Sequence, residues 1–474
     1  MTGTIKGTAI TEPALELHAP SVMQSIAEVM RMALPLMIST GTFSLVLFAD
    51  RTLLLYYSGE QMSASMAAGN LYWTLVCLPI GIASMTGAIV AQYVGSGQEK
   101  EVGRFLWQSI WLSIATAPLF AVVAVLTPWL FHVSGQVESL IPLETTYMRI
   151  LLLGAVGSVV ETSLSGFFSG TQRTRLIMWA SIATGLLNLG LDVWFIFGGL
   201  GLPPLGIAGA AWASVIAFWF KAVIFAVLLL GRTFEDRYGI RAGLSLDWGL
   251  LRKLLFFGLP AGLQYLTEAG GFTVIVLQIG QLGDIPLRAT TMAINFNMIA
   301  FIPLIGVAVA ASVLVGHHLT ESGPRRAIVA TRAALAIAWI YSLLWAVLYF
   351  AAPDYLLSLY GLGQSDPGTA EAISIARHLL AFVGVYVLLD ATQLILAGAL
   401  RGAGDTWFVL AAALGVSAIS VTIGVFGETL ATEQFGVSQL DWWWITITIW
   451  VWLLAVVMVA RYWQGKWQTM RMVP

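Results

Sequence analysis

The sequence predicts an all-α integral membrane protein, with twelve transmembrane helices in two six-helix lobes related by pseudo-twofold symmetry. Two observations carry this prediction. Apolar stretches of about 20 residues, the length of a membrane-spanning helix, recur along the whole 474-residue chain. Charged residues make up only 10% of the sequence, against about 25% in a soluble globular protein. A soluble globular class is therefore excluded.

The twelve predicted helices follow one another with short polar segments between them. Each is rich in leucine, valine, isoleucine and alanine and is long enough to cross a bilayer. They span Met32–Tyr56, Leu71–Gly95, Phe105–Phe131, Thr145–Gly170, Leu176–Phe197, Ile207–Leu230, Leu254–Ile279, Thr290–Gly316, Ala327–Phe350, Ser374–Leu400, Thr406–Phe426 and Trp442–Arg461.

Lysine and arginine residues test this count, because a missed helix would scramble their distribution between the two sides of the membrane. Of the 23 basic residues, 18 lie in the terminal segments or in alternate loops, with Arg401 assigned to one of these loops. The remaining loops, from Tyr57–Asn70 to Gly427–Asp441, contain neither lysine nor arginine. The positive-inside rule therefore predicts a multi-pass protein of the cell (inner) membrane with both termini in the cytoplasm.

The basic segment 231–253 divides the chain into two halves of similar organisation. We expect a cytoplasmic N-terminal segment, an N-lobe, a cytoplasmic inter-lobe loop, a C-lobe and a cytoplasmic tail, at 1–31, 32–230, 231–253, 254–461 and 462–474. The halves share landmarks at offsets of 224 to 232 residues: Pro35 with Pro260, Pro79 with Pro303, and Gly170 with Gly402. Such parallel repeats enclose a central path, so one chain is expected to function as a monomer.

Ionisable side chains inside the predicted helices require a functional or structural explanation, since a charge at the bilayer centre costs about 2.5–3.5 kcal/mol. Those placed in the interior of the membrane, and not near the ends of the helices, are Asp50, Arg51, Glu161, Asp192, Lys221, Glu268 and Asp390. Four of the acids form two pairs according to their predicted depth below the outer membrane boundary. Asp50 and Asp192 lie roughly 10 Å below the outer boundary, with Asn188 one turn deeper. Glu268 and Asp390 lie roughly 17–22 Å below it.

Each pair of acids is suited to hold a proton or a small cation, because two carboxylates in a dry site cannot easily both be ionised. Sodium would use carboxylate, amide and hydroxyl oxygens, by analogy with other hard cations. Asp50, Asn188 and Asp192 are therefore a possible Na+ site, with Asn188 and Asp192 on one face of their helix.

Several short motifs occur in order over essentially the whole chain, and none is specific by itself. The N-terminal half has Leu34-Pro35 before Asp50, Gln92-Tyr93-Val94-Gly95, Asn188-x-x-x-Asp192 and Gly206-Ile-Ala-Gly-Ala-Ala211. The C-terminal half has Gly258-Leu-Pro260, Glu268, Leu282-Gly283, Asp390-Ala-Thr-Gln393 and Arg401-Gly402. By the order of these motifs and the share of the chain that they cover, the protein resembles the multidrug and toxic compound extrusion (MATE) transporters, in particular their NorM-like branch.

The resemblance implies a multidrug efflux antiporter that exports cationic amphipathic compounds in exchange for Na+ or H+ by alternating access. Glu268 and Asp390 match C-lobe acids implicated in coupling, and Asp50, Asn188 and Asp192 match the N-lobe cation site of prokaryotic members. The implied partners are small-molecule organic cations and the lipid bilayer. Nucleic acid is not expected, nor is any cofactor other than the coupling ion.

Basic side chains supply a competing, structural interpretation of the embedded acids. Lys221 or Arg51 could neutralise a neighbouring acid, and for Glu161 and Lys221 a structural role is the favoured one. Arg51 also departs from the family pattern, in which small polar residues are commoner at this position. If its side chain points inward, it would weaken sodium binding at Asp50.

Two other functions compete with antiport. A flippase of the same superfamily, for a lipid-linked substrate, commonly needs a basic cavity for pyrophosphate, whereas the embedded residues named above are five acids and two bases. A membrane-embedded enzyme would need a nucleophile–base or metal constellation. The five histidines lie near helix ends or outside the helices, and His317-His318 is interpreted as solvated, so no enzyme is expected.

Overall fold

Helices form nearly all of the chain that the computed structural model describes, namely residues 22–134, 136, 138–199, 201–361 and 367–474. The first half contains α1 (Val22–Tyr57), α2 (Gly59–Gly95), α3 (Glu99–Ala115), α4 (Ala117–Val133), α5 (Ile141–Gly170), α6 (Thr174–Phe197) and α7 (Ile207–Leu229). The connection contains α8 (Arg232–Tyr238) and a 3₁₀ turn (Arg241–Gly243). The second half contains α9 (Trp248–Gln281), α10 (Asp284–Glu321), α11 (Pro324–Ala351), α12 (Pro353–Gly361), α13 (Pro367–Ala403), α14 (Thr406–Phe435), α15 (Gln439–Gln464) and a 3₁₀ turn (Lys466–Thr469).

Twelve membrane-spanning segments run through these helices, as the sequence predicts. Within the described ranges, eleven are long and apolar enough to span a membrane, and α3 with α4 forms one of them. That segment is broken at Thr116 because Pro118, in the first turn of α4, has no N–H to continue the hydrogen bonds of α3. The twelfth is the 34-residue α9, whose hydropathy is lowered by Gln264 and Glu268 in its middle.

The spanning segments alternate in direction, so their connections form two ends of the bundle. The connections at 96–98, 171–173, 230–247, 322–323 and 404–405 lie at one end, with the start of α1 and the end of α15. We call this the basic end, because most of the lysine and arginine residues lie there. The other end is called the opposite end.

The two halves of the bundle meet through glycines, where α2 packs against α9 and α1 packs against α10. A Cβ atom added at Gly81 would lie 2.4 Å from the Gly262 Cα, and one added at Gly306 would lie 2.6 Å from the Met37 backbone nitrogen. A side chain at either position would clash with this backbone, so glycine is required. All four residues lie nearer the basic end of their helices, so the halves are packed together on that side.

Hydrogen bonds also join the halves at the basic end. The Gln92 side chain on α2 donates from Nε2 to the Gly402 carbonyl on α13 (2.8 Å), and its Oε1 accepts from the Met472 backbone N–H (2.7 Å). The Lys253 ammonium on α9 donates to the Tyr93 hydroxyl on α2 (2.9 Å). The basic end is therefore closed by both halves and by the segment that follows α15.

Replacing Gly262 with alanine is expected to loosen this closed side. The new methyl group would lie 2.4 Å from the Leu78 carbonyl oxygen, a backbone atom that cannot move aside without shifting α2. Pulsed electron paramagnetic resonance between nitroxide labels at Arg175→Cys and Arg325→Cys, both exposed at the basic end, should then report a longer distance. The background carries Cys77→Ala, which removes the one native cysteine.

The matched control is Gly270→Ala on the same helix, where an added Cβ meets no atom within 4 Å. This variant should keep the parent distance. An unchanged distance in the Gly262 variant, with helix content intact, would contradict the close packing of α2 against α9.

Candidate functional site

The predicted meeting of Asp50 and Asp192 follows from the register of α1 against α6. These helices run in the same direction, and the Ser39 and Ser181 hydroxyl oxygens lie 2.6 Å apart between them. Asp50 lies eleven residues after Ser39, and Asp192 lies eleven residues after Ser181. Eleven residues make about three turns, so each acid shares the helix face of its serine, roughly 16 Å further along. The two carboxyl groups are accordingly neighbours, close enough for their charges to interact.

Asp50, Asn188 and Asp192, which we call the N-lobe site, are shielded from solvent, with exposed fractions of 6%, 1% and 0%. Among the described residues, no N–H or hydroxyl group donates to the Asp50 Oδ1, the Asn188 carbonyl oxygen or either Asp192 carboxylate oxygen, and the Asn188 amide nitrogen has no acceptor. The Asp50 and Asp192 carboxyl groups lie within hydrogen-bond range of each other, so they could share a proton. Buried polar atoms are normally paired, since an unpaired one costs roughly 1–3 kcal/mol. The unpaired oxygens on two adjacent helices therefore form a ligand set suited to a cation.

Two tyrosines at this site were not identified from the sequence. Tyr147 on α5 is buried and lies within electrostatic range of both Asp50 and Asp192. Tyr72 on α2 is a further buried neighbour of Tyr147. Neither stands in a spacing pattern with the acids, because both come from other helices and reach the site only through the packing of the bundle.

The embedded bases of this lobe do not pair with the N-lobe site. Arg51 forms no ion pair with an acid among the described residues, because adjacent residues on a helix diverge by about 100°. Its charge nevertheless lies within electrostatic range of Asp50. Lys221 on α7 instead pairs with Glu161 on α5, with 2.8 Å between Nζ and Oε1. Both side chains of this pair are 18% exposed, so the pair lies in a poorly solvated part of the bundle.

Breaking the Glu161–Lys221 pair is expected to destabilise the protein. Lys221→Gln leaves the Glu161 carboxylate unpaired, at a cost of about 3 kcal/mol in the free energy of unfolding. The double variant Glu161→Gln, Lys221→Gln removes both charges and should recover most of that loss. Thermal unfolding in detergent measures the three proteins, and an unaltered midpoint in the single variant would show that the pair contributes nothing.

The second predicted pair, Glu268 on α9 and Asp390 on α13, also lies within electrostatic range across the interior of the other half. Gln264 donates from Nε2 to the Glu268 Oε1 (2.9 Å), and Gln393 donates from Nε2 to the Asp390 Oδ1 (3.1 Å). We call these four residues the C-lobe site. Each acid has an amide partner about one turn away on its own helix, and this spacing was the signal that could have identified both glutamines.

The assignment of Arg401 to a connecting loop was wrong. The helix α13 continues to Ala403, three residues past the predicted end, and Arg401 inside it is only 8% exposed. Its Nη1 donates to the Tyr265 hydroxyl on α9 (3.2 Å), and its Nε donates to the Ala397 carbonyl (3.3 Å). The guanidinium also lies within electrostatic range of Glu268, so a base adjoins the C-lobe site.

The interpretation of His317-His318 as solvated was wrong for His318, which is 4% exposed. Its Nε2 lies 3.2 Å from the Glu28 Oε1 on α1, and its Nδ1 lies 3.5 Å from the Glu321 Oε2. These contacts join α1 to α10 at the basic end, away from both acid pairs. Across the described ranges, no group of three or more His, Cys, Asp or Glu is arranged to hold a metal ion.

Comparisons with known proteins agree with this architecture. The family model MatE matches residues 35–194 and 260–426, which together are more than half of the chain. The chain is 28% identical over 446 residues to a probable multidrug resistance protein NorM of Burkholderia mallei, covering 94% of this chain and 92% of that protein. It is 29% identical over 408 residues to the multidrug resistance protein PmpM of Pseudomonas aeruginosa, covering 84% and 83%.

Solved structures share the fold. The eukaryotic MATE transporter AtDTX14 superposes with a TM-score of 0.82 at 17% identity, covering 94% of this chain and 97% of that one. A MOP superfamily transporter from Pyrococcus furiosus superposes with a TM-score of 0.83 at 20% identity, covering 93% and 96%. The ranges that the family model matches contain all five acids and amides predicted from the sequence. The chain therefore belongs to the MatE family, the multidrug and toxic compound extrusion proteins, and is a membrane transporter rather than an enzyme.

Proposed function

We propose that this transporter exports cationic amphipathic compounds in exchange for Na+ or H+ by alternating access. The observation that carries the proposal is the N-lobe site, in which two buried carboxylates and an amide lie together and no base forms an ion pair with them among the described residues. The multidrug resistance relatives NorM and PmpM support efflux of small molecules. The acids at both sites support a positively charged cargo.

The N-lobe site would bind the coupling ion through charge relief. Asp50 and Asp192 repel each other when both are charged, and a bound proton or sodium ion removes that repulsion. Their unpaired oxygens and the Asn188 carbonyl oxygen are the hard ligands that sodium prefers. The ion is cargo and not a fixed component, so the site has to give it up again on the other side of the membrane.

The positive-inside rule places the basic end in the cytoplasm. On that orientation the glycine and Gln92 contacts close the cytoplasmic side. The two lobes, residues 32–230 and 254–461, would then rock about their shared interface while 231–253 connects them. Opening toward the cytoplasm requires the contacts of α2 with α9 and of α1 with α10 to separate. One chain contains both lobes, which supports a functional monomer in the inner membrane.

The flippase alternative is less well supported by the embedded charges. A pyrophosphate-linked substrate calls for several unpaired bases facing one cavity. Lys221 is engaged with Glu161, Arg401 lies beside Glu268, and Arg51 lies within electrostatic range of Asp50. The two acid pairs therefore favour a cationic substrate over an anionic one.

Transport in proteoliposomes tests the proposal, with a Na+ gradient and a proton gradient imposed separately. Ethidium, a cationic amphipathic dye, should be expelled under at least one of the two gradients. The responding gradient identifies the coupling ion. Folded protein that moves no ethidium under either gradient would contradict the proposed function.

A further inference from the structure

Arg401 is a buried base whose hydrogen-bonding capacity is largely unused. A guanidinium carries five N–H donors, and here the identified acceptors are the Tyr265 hydroxyl and the Ala397 carbonyl, both neutral. Its carbon Cζ also lies 5.7 Å from the centre of the Tyr265 ring. Across the described residues, no carboxylate forms an ion pair with it.

Two other embedded bases of the described chain have carboxylate partners, whereas Arg51 has none. Arg461 makes two hydrogen bonds to the Asp405 carboxylate, at 2.7 and 3.2 Å. Lys221 pairs with Glu161 at 2.8 Å. A buried charge without a counter-charge is costly, so the different arrangement at Arg401 needs an explanation.

The geometry around Arg401 connects it with both acids of the C-lobe site. Arg401 lies eleven residues after Asp390 on α13, about three turns, so the two share one face of that helix. Tyr265, which accepts the guanidinium hydrogen bond, lies three residues before Glu268 on the same face of α9. The long arginine side chain therefore approaches Glu268 across the gap between two helices, with the tyrosine hydroxyl as its intermediate contact.

We propose that Arg401 is a positioning residue that competes with the coupling ion for Glu268. This inference rests on the proposed antiport. With an ion at the C-lobe site, the guanidinium stays on Tyr265 and Ala397; when the ion leaves, it turns toward Glu268 and prevents immediate rebinding. Two acids and one base also leave the site with a single net negative charge, which suits one monovalent ion.

Neutralising Arg401 tests the competition. Arg401→Gln should lower the concentration of coupling ion that half-saturates ethidium efflux by about tenfold. The maximal rate should fall as well, because release of the ion becomes slow. Arg401→Lys keeps the charge and should restore much of the wild-type ion dependence. Tyr265→Phe frees the guanidinium to occupy Glu268 and should shift half-saturation the other way, to higher ion concentration.

A purely structural arginine would give a different result, since its loss would lower the maximal rate without tightening ion binding. The matched control is the Glu161→Gln, Lys221→Gln double variant, which removes an embedded base from the other half and should leave half-saturation unchanged. Unchanged or raised half-saturation in folded Arg401→Gln overturns the inference. If Arg401→Gln does not fold, Tyr265→Phe tests the inference instead. An unchanged half-saturating ion concentration in Tyr265→Phe would also overturn the inference.

The same assay separates this inference from the proposed function. If the wild-type protein shows no ion-dependent efflux, both the proposed function and the role of Arg401 are wrong. Suppose instead that efflux depends on the ion in the wild type, that Glu268→Gln loses this dependence, and that Arg401→Gln keeps the wild-type half-saturation. The proposed antiport then stands and only the role of Arg401 is wrong.

Discussion

Replacing Asp192 with asparagine is expected to lower ion-driven export by at least about tenfold, equivalent to about 1.4 kcal/mol. The substitution keeps the size of the side chain and removes one of the two charges that would hold the ion. Among the described residues no N–H or hydroxyl group donates to the Asp192 carboxylate, and an asparagine can still form a hydrogen bond with Asp50, so the fold should persist. Initial rates of ethidium efflux from proteoliposomes measure the loss, under the gradient that drives the wild-type protein.

Ser39→Ala is the matched control for this variant, because it changes the same α1–α6 interface about three turns from the site. It removes the contact of 2.6 Å with the Ser181 hydroxyl and touches no charge. Thermal stability should fall slightly while the ion dependence of export stays unchanged. Wild-type coupling in Asp192→Asn would mean that the acids of the N-lobe site have a structural role.

The N-lobe site could be predicted because most of its pattern is local. Asn188 and Asp192 lie one turn apart on a single helix, and the depth of Asp50 follows from counting residues from the helix end. The tyrosines could not be predicted in this way. Tyr147 reaches the acids from α5, with Tyr72 of α2 beside it, and the packing of those helices depends on many weak contacts far apart in sequence.

Arg401 and His318 were misplaced for a shared reason. Each lies in the last turns of a helix that continues past its apolar segment, since α13 ends at Ala403 and α10 ends at Glu321. Hydropathy marks only the part of a helix that crosses the hydrocarbon layer. At the closed basic end, the helices extend beyond that layer and pack against one another. Polar residues there are buried by protein, although the sequence alone indicates a solvated loop.

The internal repeat explains why the two halves have different sites. At an offset of 232 residues, Asp192 corresponds to Gly424. A Cβ atom added at Gly424 would lie 2.6 Å from the Trp443 ring, so the tryptophan occupies the volume that the carboxylate has in the other half. The second half instead has its acids on α9 and α13, each with an amide partner. The duplicated scaffold thus carries two chemically different sites.

Replacing Glu268 with glutamine is expected to lower ion-driven export by at least about tenfold through the second of these sites. The amide retains an oxygen at the position that accepts from Gln264 at 2.9 Å, so the hydrogen bond persists and only the charge is lost. Asp390→Asn should behave alike, because Gln393 can still donate to the remaining oxygen. Ethidium efflux under the driving gradient measures both variants. Gly270→Ala on the same helix serves as a control, since its added methyl group meets no atom within 4 Å and changes no charge.

The double variant Asp192→Asn, Glu268→Gln tests whether the two sites bind separate ions or act on the same ion. The N-lobe site and the C-lobe site lie in different halves and share no hydrogen bond among the described residues, so each is expected to bind its own ion. Losses at independent sites add as free energies, and the double variant should therefore lose about the product of the single losses, on the order of a hundredfold. A double variant no worse than the more severe single variant would contradict independent binding. One ion would then depend on both sites, because the loss of either site would already stop its transport and the loss of the second would add nothing.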